Sequence, residues 1–252
     1  MASENLLYAI QARSEIGGHE EQQDRAYLHI GDNQIFAAVC DGMGGGPNGS
    51  VAAETAVFSL RASYATCPTN GAADIPAFLR KVMRIADKAV SVALSGAGGG
   101  TTMAATIISQ RRMYWISAGD SRLYIMRSGE LLQATRDHNY RLRLDEMLRR
   151  KEITPDAYAR ELTRGDALIS YLGMGGVSLF DLTQTAFELR PHDIILLMTD
   201  GLFHAVSEDD LRRIILSDLP ISRKADHLLE QAAGTADRTV LDNITFIIME
   251  AL

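Results

Sequence analysis

Apolar positions follow two different spacings along the chain. RAYLHI (25–30) and QIFAAVC (34–40) are short β-type runs, and the polar Gly31-Asp32-Asn33 between them predicts a hairpin. The alanine-rich residues 48–65 have spacing compatible with a buried helix. Residues 75–94 predict a second, with apolar positions at Phe78, Val82, Ile85, Ala89 and Val92 and Pro76 in the first turn. After the glycine break GAGGG (96–100), the runs TTMAATIIS, RMYWISA and SRLYIMRSG predict a β-meander. Residues 138–162 read as polar and helical, with Thr154-Pro155 opening a second short helix, and 165–180 as irregular. DIILLMTD (193–200) and NITFIIM (243–249) predict buried strands, with a capped helix at SEDDLRRIIL and another at ISRKADHLLEQAA between them. Antiparallel runs separated by paired helices place the chain in the α+β class.

Bulk properties narrow the function more than the fold. The 252 residues, 46% hydrophobic and 23% charged, suit one domain over 1–252, without repeats or low-complexity linkers. A net charge of −7 without a long basic patch argues against nucleic-acid binding. The basic stretch from Arg136 to Lys151 is interleaved with leucine and acidic residues, as on an amphipathic helix with a solvated face. Cys40 and Cys67 form no disulfide framework or zinc spacing, and Cys40 in its apolar run reads as a buried, inert thiol. MASENLLYAIQARSE has no signal-peptide pattern, and no apolar run is long enough to span a membrane. The expectation is a cytoplasmic protein without membrane insertion.

Candidate chemistry lies in the placement of aspartates. Asp41 ends one apolar run and Asp200 another; Asp24 and Asp242 precede strands, and Asp120 falls between two β-runs. In a hairpin centred on the 31–33 turn, Asp24 and Asp41 face each other at the open end, and antiparallel pairing allows Asp242 to sit beside Asp41 or Asp200. Taken singly, each aspartate is ordinarily a turn former or helix cap. Gathered on one rim they would repel, and the usual solution is a divalent cation. Oxygen ligands without His or Cys point to Mg²⁺ or Mn²⁺ rather than zinc. The glycines after Asp41 would let a backbone carbonyl such as that of Gly42 turn towards an ion.

The ordered set DGMGG (41–45), GTT (100–102), GDSRLY (119–124), TDGL (199–202) and DN (242–243) resembles the metal-dependent serine/threonine protein phosphatases of type 2C, in their bacterial branch. The resemblance covers almost the whole chain. It implies an α-β-β-α sandwich, two antiparallel sheets packed face to face between layers of paired helices, with two Mn²⁺ or Mg²⁺ ions at one end. By motif, Asp41 would bridge both ions, Asp200 and Asp242 would hold the first, and the Gly42 carbonyl the second. Asp120 matches the ligand of a third ion, shared with Asp200. Asp41, Asp200 and Asp242 are the catalytic candidates, and Asp24 joins them on the rim as a candidate metal residue. Residues 136–180 match a variable flap beside the cleft. The implied reaction is hydrolysis of phosphoserine or phosphothreonine by a metal-bridging hydroxide, without a phosphoenzyme. The implied setting is a monomer opposing a serine/threonine kinase.

The N-terminal motif departs from the family pattern. In GGHEEQQD (17–24), Gln23-Asp24 replaces Glu-Asp, and His19 stands where an arginine is expected. A guanidinium binds phosphate in a bidentate manner that imidazole cannot reproduce. The expectation is weaker ground-state phosphate binding, or a substitute cation from the flap, Arg136 or Arg164. His19 and His138 are candidates for protonating the leaving alkoxide, or else solvated surface histidines; His204 reads as a helix-start residue without a chemical role. Two other readings stand beside the leading one: a non-catalytic module that binds a phosphoprotein, and an enzyme acting on small phosphate esters.

Overall fold

The computed structural model describes residues 7–31, 33–68, 74–235 and 241–252. Asp32 of the expected hairpin turn and the first six residues of the N-terminal stretch fall outside that set. Two antiparallel sheets pack face to face. One runs β1 (Tyr8–Glu15), β13 (Ile244–Ala251), β12 (Ile194–Met198), β8 (Arg122–Arg127), β9 (Glu130–Gln133). The other runs β10 (Asp181–Leu182), β7 (Arg112–Ala118), β6 (Met103–Ser109), β3 (Gln34–Cys40), β2 (Arg25–Ile30), with β11 (Phe187–Glu188) also on β7. A two-residue ladder joins β4 (Gly42–Met43) to β5 (Gly100–Thr101).

The central strands read as unbroken apolar runs because both of their faces are covered. Along β3, Phe36, Ala38 and Cys40 pack against helices α1 (Asn48–Tyr64) and α2 (Ile75–Leu94), while Ile35, Ala37 and Val39 pack into the core between the sheets. Strand β13 does the same: Phe246 and Ile248 face α5 (Asp200–Ala205), α6 (Glu208–Ile215) and α7 (Ile221–Thr235), and Ile247 and Met249 face the other sheet. Three apolar cores therefore separate four layers, and the architecture is the expected α-β-β-α sandwich. No helix among the described residues is long and apolar enough to cross a membrane.

The expected meander is not formed. Strands β6 and β7 pair as a hairpin, Met103 opposite Ala118, but β8 pairs with β9 and β12 in the other sheet. The chain changes sheets at Gly119-Asp120-Ser121, where Gly119 takes a left-handed φ of 97°. A Cβ there would lie 2.6 Å from Thr102 Cβ and Cγ2, so the corner tolerates neither the backbone strain nor the volume of a side chain. Gly119→Ala is expected to cost about 2–4 kcal/mol and to lower the melting temperature by roughly 5–10 °C. A scanning-calorimetry trace unchanged from wild type would contradict this account of the corner.

The flap consists of α3 (Tyr140–Arg149), capped by Asn139, α4 (Pro155–Glu161), capped by Thr154, and a 3₁₀ turn at Leu162–Arg164, followed by an irregular return to β10. Backbone bonds from His138 N to Gly119 O (3.0 Å) and from Leu172 N to Thr101 O (2.8 Å) tie its two ends to the same edge of the sandwich.

Candidate active site

That edge carries the aspartates. The pairing of β2 with β3 places Arg25 opposite Cys40, so the next pair outward is Asp24 and Asp41, as the hairpin arithmetic requires. Asp41 continues the alternation of Ile35, Ala37 and Val39 and so belongs to the face between the sheets. Its backbone is fixed on both sides by the GTT segment. Its N–H donates to Thr102 Oγ1 (2.9 Å), and its carbonyl accepts from Thr102 N and Thr101 Oγ1 (both 2.8 Å). Thr102 Oγ1 in turn shares a 2.6 Å bond with Ser121 Oγ, which links the β3 end to the sheet-changing corner and thus to Asp120.

Asp200 and Asp242 come from the other sheet. Met198 pairs with Phe246, so the end of β12 and the start of β13 adjoin, and a Cβ on Gly201 would stand 3.3 Å from Asp242 Cβ. The two sheets are joined across the rim by Thr199, whose hydroxyl donates to Asp24 Oδ2 (2.8 Å) and accepts from Thr245 N (3.0 Å). All five aspartates thus collect at one end, from both sheets.

Their electrostatics are unfavourable. Burial, reinforced by neighbouring carboxylates, pushes Asp24 and Asp41 well above the ordinary carboxylate range; Asp200 is also raised by burial. Asp120 is raised to about 7, by burial first and then by Asp200 and Asp137. After burial, Asp200 contributes most to raising Asp41, while Asp41 in turn pulls Asp200 down. The positive charge close by is Arg122, which is paired bidentately with Asp137 (2.7 and 3.0 Å) and stacked 3.6 Å above the Phe203 ring. Among the described residues, no three His, Cys, Asp or Glu side chains are closed around one point. The rim is an open all-carboxylate set that favours protons in the absence of a cation, which is the donor chemistry that suits a hard divalent ion.

The glycines after Asp41 serve a close backbone approach. A Cβ on Gly42 would meet Gly49 O at 2.1 Å, and one on Gly49 would meet Gly42 O at 2.6 Å. The start of α1 is therefore pressed directly onto the strand end that carries Asp41. Gln23, in the slot of the family's glutamate, donates its amide to Gly46 O (3.0 Å) and braces this turn.

The loop containing His19 is held by Asn243. Its side-chain amide donates to Ile16 O (2.7 Å) and Glu21 O (3.2 Å), and its Oδ1 accepts from Gln23 N (2.7 Å). His19, half-exposed, reaches Asp242 Oδ1 at 3.0 Å. His138 is different from the surface residue expected: it is fully buried, and its Nε2 is 3.5 Å from Asp181 Oδ1, beyond a well-formed bond. A fully buried imidazole cannot meet a leaving group in the cleft. Arg136 is not free to replace the missing arginine, because its Nε and Nη2 bond Asp181 Oδ1 at 2.9 and 2.5 Å. Arg164 is exposed over Tyr140, 5.9 Å from the ring centre, and no hydrogen bond or ion pair joins it to the rim among the described residues. His204 lies 3.7 Å from Asp200 Oδ2, one turn along α5, and lowers the acidity penalty there. Burial pushes the Cys40 thiol above its ordinary range, consistent with an inert core residue.

Thr102, Ser121, Thr199 and Asn243 fall within the GTT, GDSRLY, TDGL and DN motifs without a role of their own there, and they hold the aspartates without carrying charge. Each stands within two residues of one of the aspartates or of a glycine turn, and that adjacency was the available signal.

Residues 12–232 match the protein phosphatase 2C family; Asp242 and Asn243 lie beyond the matched segment. The serine/threonine phosphatase stp of Listeria monocytogenes is 31% identical over 237 residues, covering 92% of this chain and 90% of that protein. The crystal structure of the Mycobacterium tuberculosis serine/threonine phosphatase PstP/Ppp superposes with a TM-score of 0.78 at 27% identity, over 97% of this chain and 99% of that one. The catalytic domain of the serine threonine protein phosphatase PstP in complex with two manganese ions superposes with a TM-score of 0.74 at 26% identity, over 96% and 97%.

Proposed function

The chain belongs to the protein phosphatase 2C family and is a protein phosphatase, and on that premise we propose that it removes phosphate from phosphoserine and phosphothreonine in proteins with the help of divalent ions held on the aspartate rim. The observation that carries the metal reading is the gathering of Asp24, Asp41, Asp120, Asp200 and Asp242 from two sheets at one edge, where burial and mutual repulsion favour a counter-ion. The manganese complex of the similar PstP domain supports it. Asp41 would bridge two ions, Asp200 and Asp242 would hold the first and the Gly42 carbonyl the second, and Asp120 with Asp200 would accept a third. Asp24, with one oxygen engaged by Thr199, is the most enclosed member. Bound there, Mn²⁺ or Mg²⁺ would acidify a water and neutralise phosphoryl charge.

The protein's own residues have three tasks. Thr101 and Thr102 hold Asp41, and Thr199 holds Asp24, so that the carboxylates keep their spacing as charge in the cleft changes. The Asn243 clamp presents the loop that bears His19. With Nε2 held by Asp242 Oδ1, the other ring nitrogen of His19, Nδ1, is the exposed acid placed to protonate the alkoxide of serine or threonine as it departs. His19→Gln is expected to slow release from a phosphothreonine peptide about tenfold or more. Hydrolysis of p-nitrophenyl phosphate, whose phenolate needs no proton, would change little. Equal slowing of both substrates would remove His19 from that role.

The whole reading is tested by phosphate release from phosphothreonine and phosphoserine peptides after chelation, with Mn²⁺ or Mg²⁺ added back. Restoration by either ion is expected; turnover that survives chelation, or none with any ion, would overturn the proposal. The same setting implies a phosphoprotein substrate produced by a serine/threonine kinase.

A further inference from the structure

Helix α2 carries Arg80, Lys81, Arg84 and Lys88 on exposed positions, and its one acidic residue, Asp87, is buried. Arg80, Arg84 and Lys88 follow four-residue spacing and so form one stripe. Among the described residues, none of these four cations has a hydrogen-bonding or ion-pair partner. A solvated helix face normally mixes signs, and like charges four apart oppose helix formation. In a chain of net charge −7 this stripe is an uncompensated local excess.

The stripe forms one wall of a cavity of about 600 Å³, whose opposite wall is the returning flap segment at Gly175, Val177 and Phe180. Asp87 spends its charge on that wall: its carboxylate accepts from Gly173 N (2.9 Å), Gly175 N (3.2 Å) and Val177 N (3.4 Å). It therefore fixes the groove without forming an ion pair with the cations. The flap wall of the groove is tied to the rim through the backbone. Leu172 pairs with Thr101, and Thr101 Oγ1 holds the Asp41 carbonyl, so the strand of chain that leaves the site at 172 enters the groove at 175.

We propose that this groove between α2 and residues 175–180 binds an acidic segment of the phosphoprotein substrate, apart from the phosphorylated residue itself. The proposal rests on the protein-phosphatase reading. A concave cleft walled by backbone fits an extended chain, and an uncompensated cationic wall fits carboxylates. Three exposed pairs formed together are worth about tenfold in affinity and weaken as salt screens them.

The test uses the Mn²⁺-loaded protein and its R80E/R84E/K88E variant on three substrates: a phosphothreonine peptide with a flanking Asp/Glu block, the same peptide with a neutral block, and p-nitrophenyl phosphate. In the variant, kcat/KM for the acidic peptide is expected to fall about tenfold through KM, with the other two substrates within about twofold. The wild-type preference for the acidic peptide should shrink as salt rises. Gly176→Trp, at a position where a side chain meets nothing within 4 Å, fills the groove without changing charge and should cause the same selective loss. No wild-type preference for the acidic peptide, or equal loss on all three substrates in both variants, would overturn the proposal. So would charge-dependent binding to phosphatidylserine vesicles without peptide preference, which would assign the stripe to a membrane surface. If the wild type releases phosphate from none of the substrates, the phosphatase reading fails instead. Fluorescence anisotropy of the labelled acidic peptide then decides the groove: binding to wild type but not to the variant supports it, and equal binding or none overturns it.

Discussion

Asp41→Asn is expected to reduce metal-dependent phosphate release by at least about a thousandfold while raising the melting temperature of the metal-free protein by roughly 2–5 °C. The two effects have opposite signs because they arise from different states. Without ions, Asp41 is a half-buried acid facing Asp24, Asp120 and Asp200, and burial and repulsion already favour its protonated form. Asparagine keeps the shape and offers a permanent N–H towards the carboxylates that face Asp41. It also removes a charge from the cluster. With ions, the same change removes the ligand proposed to bridge them. Mn²⁺ should therefore stabilise the wild type on heating and leave the variant nearly unmoved. A variant that melts lower than wild type in chelator would show that the aspartate cluster is not strained by its own charge; one that remains active would remove Asp41 from the metal site.

The metal-free protein should lose stability as pH rises from about 4 to about 7, and saturating Mn²⁺ should abolish that loss. Asp24, Asp41, Asp120 and Asp200 all have folded-state pKa values above the unfolded value of 3.8, with Asp120 at about 7. Below 3.8 both states bind the proton and there is no difference. As pH climbs, the unfolded chain ionises first, and the folded state falls behind until each site titrates. At the acid end the sign reverses. Asp181 is raised by burial, but the adjacent His138 and the bonds from Arg136 outweigh that, and Asp210 and Asp226 are lowered by arginine partners. Those groups stabilise the fold above 3.8 and lose that contribution as pH falls through their folded values. Thermal unfolding in chelator should accordingly peak near pH 4–5, and a stability curve still rising between pH 5 and 7 would contradict the charge balance assigned to the rim.

Much of this arrangement could be read from the residues alone, for physical reasons that also explain the exceptions. QIFAAVC and NITFIIM are covered on both faces, so burial writes them as continuous apolar runs, and the helix over 75–94 has a strong apolar stripe. Strand β1 has no such mark: YAIQARSE lies on a sheet edge with much of its length partly exposed, and its pairing with β13 joins opposite parts of the chain. The two-residue strands β10 and β11 are too short for any periodicity. The meander failed because strand spacing cannot say which sheet receives the next strand; the left-handed Gly119 against Thr102 decides that, and it is a tertiary contact. At the site, the aspartates were legible because they terminate strands. His138 was not, since its burial depends on the flap folding back over β7, and neither was the capture of Arg136 by Asp181, which is 45 residues away.

The position of β13 bears on how the molecule comes to be made. It is the last strand in chain order among the described residues, yet it lies between β1 and β12, with Tyr8 opposite Ala251. During synthesis β1 waits without its neighbour until the residues up to Ala251 have left the ribosome, and the sheet remains split until then. Asp242 and the Asn243 clamp arrive with the same segment. Such long-range closure predicts slow folding for the chain's size, and a nascent chain cannot complete this sheet before β13 has been inserted.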